Sequence, residues 1–212
     1  MTRGGAAPVG FDLDNTLIES NPQVFASFTA LAAESGRAID LEAVRSRLGV
    51  KLEEELGHWF AADEIEEAAV AYRRYYLEFA AETRPLPGAH GALEAVRRAG
   101  ARAIVITAKH ASTVGQCCAA AGLEPDEVVP FVHGAEKAVV INRLGVVLYV
   151  GDTPADMEAA HLAGVPGIAV TTGSFSADEL AEAGASVVLA SLEAFPGLYR
   201  RWLIDPEELA VR

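Results

Sequence analysis

Two aspartates, Asp12 and Asp14, follow directly on a short apolar run at residues 7–11 that begins after the Gly4-Gly5 pair. The run reads as a buried strand. On a strand, side chains at i and i+2 share a face, so the two carboxylates sit side by side. Carboxylates held that close repel, and either one keeps its proton or a cation lies between them. Asn15 and Thr16 suit a turn that leaves the strand. A charged pair at the carboxyl end of a buried strand is where open α/β sheets hold their ligands.

The stretch Tyr149-Val150-Gly151-Asp152-Thr153-Pro154-Ala155-Asp156 repeats the design: an apolar strand, then an acid at its end. Asp152 beside Asp12 and Asp14 completes an oxygen-ligand cluster suited to magnesium, which takes few carboxylates in octahedral geometry and keeps several waters. Asp156 has two readings. With Thr153 as N-cap and Pro154 at the first helical position it closes a capping box, and that is a sufficient role. Thr107 ends another β-branched strand at residues 103–107, and Lys137 falls in a short helical pattern at 135–143. Taken singly, each is an ordinary strand-end or solvated residue.

Stepping from these residues to the elements that must hold them, residues 19–84 read as four helices with no strand. Pro22 opens the first behind Asn21. Asp40 caps the second. Leu52, Leu56, Trp59 and Phe60 share the face of the third, and Asp63 with Glu66 resembles a capping box for the fourth. Arg84-Pro85-Leu86-Pro87-Gly88 breaks the helical pattern. Beyond it helices alternate with strands near 103–107, 128–132, 146–150, 168–170 and 187–189, and Ser176 with Glu179 suggests a capped helix between the last two. That alternation predicts an α/β, Rossmann-like parallel sheet with helices on both faces. The expected organisation is a core of residues 1–18 and 85–212, interrupted by an α-helical unit at 19–84.

The bulk numbers agree with a small soluble protein. The 212 residues are 51% hydrophobic, enough for one sizeable core with an insertion. The formal charge of -13 argues against nucleic acid or an acidic membrane as partner, because phosphate backbones call for Lys and Arg. The only cysteines, Cys117 and Cys118, are adjacent and form no disulfide framework. No apolar run is long enough to span a bilayer and no signal-peptide core is present, so the expectation is a cytoplasmic protein, monomer or homodimer.

The order Asp-x-Asp-x-Thr, strand-end Thr, Lys, Gly-Asp-x-x-x-Asp resembles the four motifs of the haloacid dehalogenase-like hydrolases. The helical insert after the first motif resembles the cap of their phosphoglycolate phosphatase and β-phosphoglucomutase branch. Gly49-Val50-Lys51-Leu52 is similar to that branch's cap loop, and Thr107-Ala108-Lys109 to the Thr-Asn-Lys of phosphoglycolate phosphatases. The sequence departs from the pattern in three places. Ala138 follows the lysine where Pro is common, the interval from Lys137 to Asp152 is short, and Asn15 replaces a Gly.

The resemblance implies a magnesium-dependent phosphatase for a small phosphorylated metabolite, acting through an aspartyl-phosphate. Asp12 would be the nucleophile and Asp14 the general acid and base. Thr107 and Lys137 would hold phosphoryl oxygens. The carboxylates of Asp12 and Asp152 and the carbonyl of Asp14 would hold magnesium. Thr16 would help place Asp14, and Asp156 would orient Lys137 or a metal-bound water. Lys51, Ala108 and Lys109 would meet the substrate. A phosphomutase of the same branch would use the same motifs. A non-catalytic phospho-aspartate switch is the remaining alternative, and it lacks both a large helical insert and a second Asp at i+2.

Overall fold

A computed structural model of the chain describes residues 6–209, so Gly4-Gly5 lies outside the described residues. The strands are β1 (Val9–Phe11), β2 (Ile18–Glu19), β3 (Arg84–Pro85), β4 (Ala103–Ile106), β5 (Glu127–Val129), β6 (Leu148–Gly151), β7 (Gly167–Val170) and β8 (Val187–Leu189). The helices are α1 (Asn21–Ser35), α2 (Leu41–Ser46), α3 (Leu52–Leu56), α4 (Ile65–Phe79), α5 (Ala89–Arg98), α6 (Ala111–Ala120), α7 (Glu136–Leu144), α8 (Pro154–Ala163), α9 (Ala177–Glu182) and α10 (Phe195–Ile204).

Six strands form one all-parallel sheet in the order β5-β4-β1-β6-β7-β8. β1, β4, β6 and β7 are buried at every residue, as apolar strands covered on both faces must be. The chain winds outward from β1 to β4 and β5, then returns to β6 on the other side of β1. The crevice at the carboxyl end of β1 is therefore the switch point of the sheet. The strand is held in register by Val9 beside Ala103 on one flank and Leu148 on the other.

β2 and β3 pair antiparallel, Ile18 with Pro85 and Glu19 with Arg84, and form a two-stranded neck. Between them the regular elements are helical, so the expectation of no strand over 19–84 fails at its two ends, where Glu19 and Arg84 pair. α1 and α4 are each 15 residues long, and Phe28 meets Tyr72 at 4.8 Å between ring centres.

Local capping differs from the expectation in three places. α1 starts one residue earlier, with Asn21 inside the helix, Ser20 as N-cap and no side-chain cap bond. α3 stops at Leu56, because Gly57 follows and the chain turns before Trp59 and Phe60. α4 has no capping box. Its N-cap is Glu64, whose carboxylate accepts from the Ala61 amide and from Arg37. The boxes at Thr153–Asp156 and Ser176–Glu179 are present, and Asp40 caps α2 through the amides of Glu42 and Ala43. α10, for which the periodicity gave no expectation, stacks Phe195 on Tyr199 and sets Phe195 edge-on to Phe11 beneath β1. Among the described residues no helix is long and apolar enough to cross a membrane.

Candidate active site

Three neighbouring strands deliver the site. Asp12 follows β1, Thr107 follows β4 and Asp152 follows β6, all at carboxyl ends. The Asp12 amide donates to the Val150 carbonyl at 2.8 Å, so the ladder still holds the backbone where the first acid leaves it. The turn that follows puts Asn15 at φ 54. Glycine visits that left-handed region freely and asparagine tolerates it better than most residues, which accounts for Asn where Gly is commoner.

Lys137, on the first turn of α7, donates to Asp12 Oδ1 and to Asp156 Oδ1, each at 2.7 Å. Asp156 thereby does two jobs with two oxygens. Its Oδ2 accepts from the amide and hydroxyl of Thr153, closing the box that starts α8, while Oδ1 orients the lysine. Thr16 donates to Asp152 Oδ1 at 3.1 Å, so it fixes Asp152 and not Asp14. Two glycines make room for these carboxylates. A Cβ at Gly173 would come within 1.9 Å of Asp152 Oδ2, and one at Gly151 within 2.4 Å of Asp156 Cγ.

Asp12, Asp152 and Asp156 are all buried, and each offers an oxygen within 4.8 Å of the others. The Asp14 carboxylate is not in this cluster, where the i, i+2 spacing suggested it. It turns aside and meets Lys109 Nζ at 2.9 Å. Lys109 also donates to the Tyr76 hydroxyl of α4 at 2.7 Å, and its amide donates to Thr107 Oγ1 at 3.1 Å.

Three carboxylates around one ammonium leave uncompensated negative charge. Burial is the largest cause that pushes Asp12 up to about 7; Lys137 opposes it, and Asp156 and Asp14 add to it. Burial, then repulsion from Asp12 and Asp156, likewise holds Asp152 well above the usual carboxylate range. Burial works against the charge on Lys137, but Asp12 and Asp156 outweigh it and keep the ammonium charged well above its ordinary range. A hard, oxygen-only donor set with excess negative charge fits a magnesium ion.

Above this floor lies a cavity of about 260 Å³, closed on the far side by the helical insert. Val24, Phe28, Val44, Leu48 and Leu52 form much of that wall, with Arg47 and Arg73 among them. Ala108, Lys109 and Thr107 line the cavity; Lys51 does not, and its side chain is exposed at the N-terminus of α3. Sequence reasoning missed Arg47, Arg73, Phe131 and His133, which all line the cavity. Phe131 sits at φ 61, half exposed, with its amide donating to the Lys109 carbonyl, and no sequence periodicity marks that position.

Residues 9–164 match the family model for haloacid dehalogenase-like hydrolases. The chain is similar to a protein of Dickeya dadantii named "Probable phosphatase IndB", 29% identical with 88% of this chain and 90% of that protein covered. It is similar to the phosphoglycolate phosphatase of Caulobacter vibrioides at 27% identity, covering 90% and 89%. A solved structure of a haloacid dehalogenase-like hydrolase from Streptococcus pneumoniae superposes with a TM-score of 0.77 at 21% identity, covering 93% of this chain and 98% of that one.

Proposed function

The chain belongs to the haloacid dehalogenase-like hydrolases, and from that premise we propose a magnesium-dependent phosphatase that hydrolyses a small phosphorylated metabolite through a phosphorylated Asp12. The observation that carries this reading is the Asp12–Lys137–Asp156 chain of hydrogen bonds, with both carboxylates and the ammonium buried at the switch point of the sheet. It supports reading one carboxylate as the attacking group beside one cation for a phosphoryl oxygen.

In this reading an Asp12 oxygen forms a bond to phosphorus as the bond to the substrate's alcohol oxygen breaks, and Asp14 gives that oxygen its proton. Asp14 then takes a proton from water, the water oxygen bonds to phosphorus, and the bond to Asp12 breaks. Thr107 and Lys137 hold phosphoryl oxygens through both steps, and Asp156 keeps Lys137 aimed. Thr16 holds Asp152. The carboxylates of Asp12 and Asp152 with the Asp14 carbonyl would hold magnesium. Bound there, the ion neutralises charge so that an anionic phosphate can meet a carboxylate.

Residues 19–84 act as a cap over the core made by residues 1–18 and 85–212, excluding water and reading the alcohol. Lys109 links Asp14 on the floor to Tyr76 on α4, so the position of the acid is coupled to that of the cap.

A panel of phosphate monoesters with magnesium should give turnover that exhaustive chelation removes and added magnesium restores. Full activity after chelation would refute the magnesium requirement, and turnover of no ester would refute the phosphatase reading.

A further inference from the structure

The wall of the cavity that meets the alcohol is largely apolar, and its arginines are already matched. Val24, Phe28, Val44 and Leu48 supply most of the surface away from the phosphoryl site. Arg47 makes a two-pronged pair with Glu55, 2.7 Å at each bond, and Glu55 is itself buried and accepts from Trp59 Nε1. Arg73 is paired with Glu53. Both carboxylates line the same cavity as their arginines. Lys109 is engaged by Asp14. Lys51 is exposed between the lining residues Val50 and Leu52, and its charge acts on His133 of the lining from the solvent side.

We propose that the substrate is a phosphate ester of an uncharged alcohol: the wall formed by α1, α2, α3 and α4 selects against a leaving group that carries a carboxylate or a second phosphate. The inference rests on the phosphatase reading above and concerns only the far side of the phosphoryl bond. A carboxylate moved from water into this wall meets each arginine with its charge already opposed. It would have to compete with Glu55 or Glu53 for an arginine, and it gains no net positive charge there to offset the loss of its hydration.

A neutral alcohol meets no such cost. Its apolar part fits the valine, leucine and phenylalanine surface. Among the lining residues Asn21 Oδ1, Arg73 Nε and His133 Nε2 are buried without a partner, so small side-chain shifts would offer a hydroxyl, carbonyl or amide both an acceptor and donors. At about 260 Å³ the cavity lies just below the usual range for drug-sized ligands, so the alcohol is small. The same wall disfavours a phosphomutase, whose bisphosphate intermediate would bring a second dianion there.

The test uses two esters of one shape, 2-phosphoglycolate and its amide 2-phosphoglycolamide, with an aryl phosphate as reference, on the full chain with magnesium. The amide should be turned over with kcat/KM at least about tenfold above the carboxylate. In Glu53→Gln, which frees Arg73 from its charge partner, that preference should shrink several-fold. The preference is a ratio within one preparation, so loss of folded protein cancels.

Equal or better turnover of the carboxylate by the parent would overturn the inference and leave the phosphatase reading standing. A preference for the amide that Glu53→Gln leaves unchanged would overturn the assignment to the matched arginines. Turnover of none of the three esters would overturn the phosphatase reading and the inference with it.

Discussion

On the floor of the cavity, oxygens of Asp12, Asp152 and Asp156 lie within 4.8 Å of one another around a single ammonium, Lys137. On the wall opposite, Arg47 and Arg73 each face one carboxylate amid aliphatic side chains. The two surfaces enclose one space and are built on opposite electrostatic terms. The floor keeps an excess of buried negative charge, which is stable only with a cation or with protons. The wall carries no excess of either sign in its arginine pairs. A surface that holds charge out of balance is prepared for a step that moves charge; a balanced one can only choose what lies beside it. Floor residues should therefore change the rate for every ester alike, and wall residues the ratio between esters.

The largest effect expected is at the nucleophile. Asp12→Asn should lower kcat by at least about 10⁴-fold for every ester while circular dichroism stays that of the parent. Turnover within tenfold of the parent would break the distinction at its base. Lys137→Ala should remove about 2–4 kcal/mol of transition-state stabilisation, by one factor for all esters. A factor that varies with the alcohol would move Lys137 from floor to wall.

The charge imbalance should show in stability. Asp12 rises from an ordinary 3.8 to about 7 on folding, so the folded state binds the extra proton between those values. The metal-free protein should lose stability as pH rises across that window, with Asp152 acting in the same direction. Magnesium should offset the loss near neutral pH by binding the ionised form. Melting curves against pH would check this, and Asp12→Asn should flatten the dependence; a metal-free protein that gains stability across the window would contradict it. Lys51→Ala should change least, within about twofold for charged and neutral esters alike, as befits an exposed side chain outside the lining.

The floor was legible in the sequence because strand periodicity and strand ends fix backbone direction. An acid placed directly after a buried strand has few places to go, and Asp12, Asp152 and Thr107 reach the same crevice for that reason. Lys137 was legible from its order in the chain, and it falls on the first turn of α7 despite the short interval to Asp152. The wall was much less so. Helical periodicity finds Val24, Phe28 and Leu52 as apolar faces, but it does not say which charge an arginine meets across the insert. Arg73 pairs with Glu53, 20 residues away, and Lys109 with Asp14 on another element. Pairings of that kind belong to tertiary packing. For the same reason Lys51, which the resemblance would set against the substrate, is exposed at the edge of the cavity, while the arginines nearby line it and are already matched. Helix starts failed where a neighbour outbid a local cap, as at Glu64, which bonds Arg37.

The central claim is that phosphorus passes through a bond to Asp12. It is tested most directly in Asp14→Asn with an excess of an aryl phosphate, whose leaving group departs without a proton while the second step lacks its base. Rapid quenching should give a burst of one phenol per site, and one phosphoryl group on the peptide that contains Asp12, removable by hydroxylamine as an acyl phosphate is. Steady turnover of the same ester with no burst and no phosphoryl group on that peptide would contradict the account.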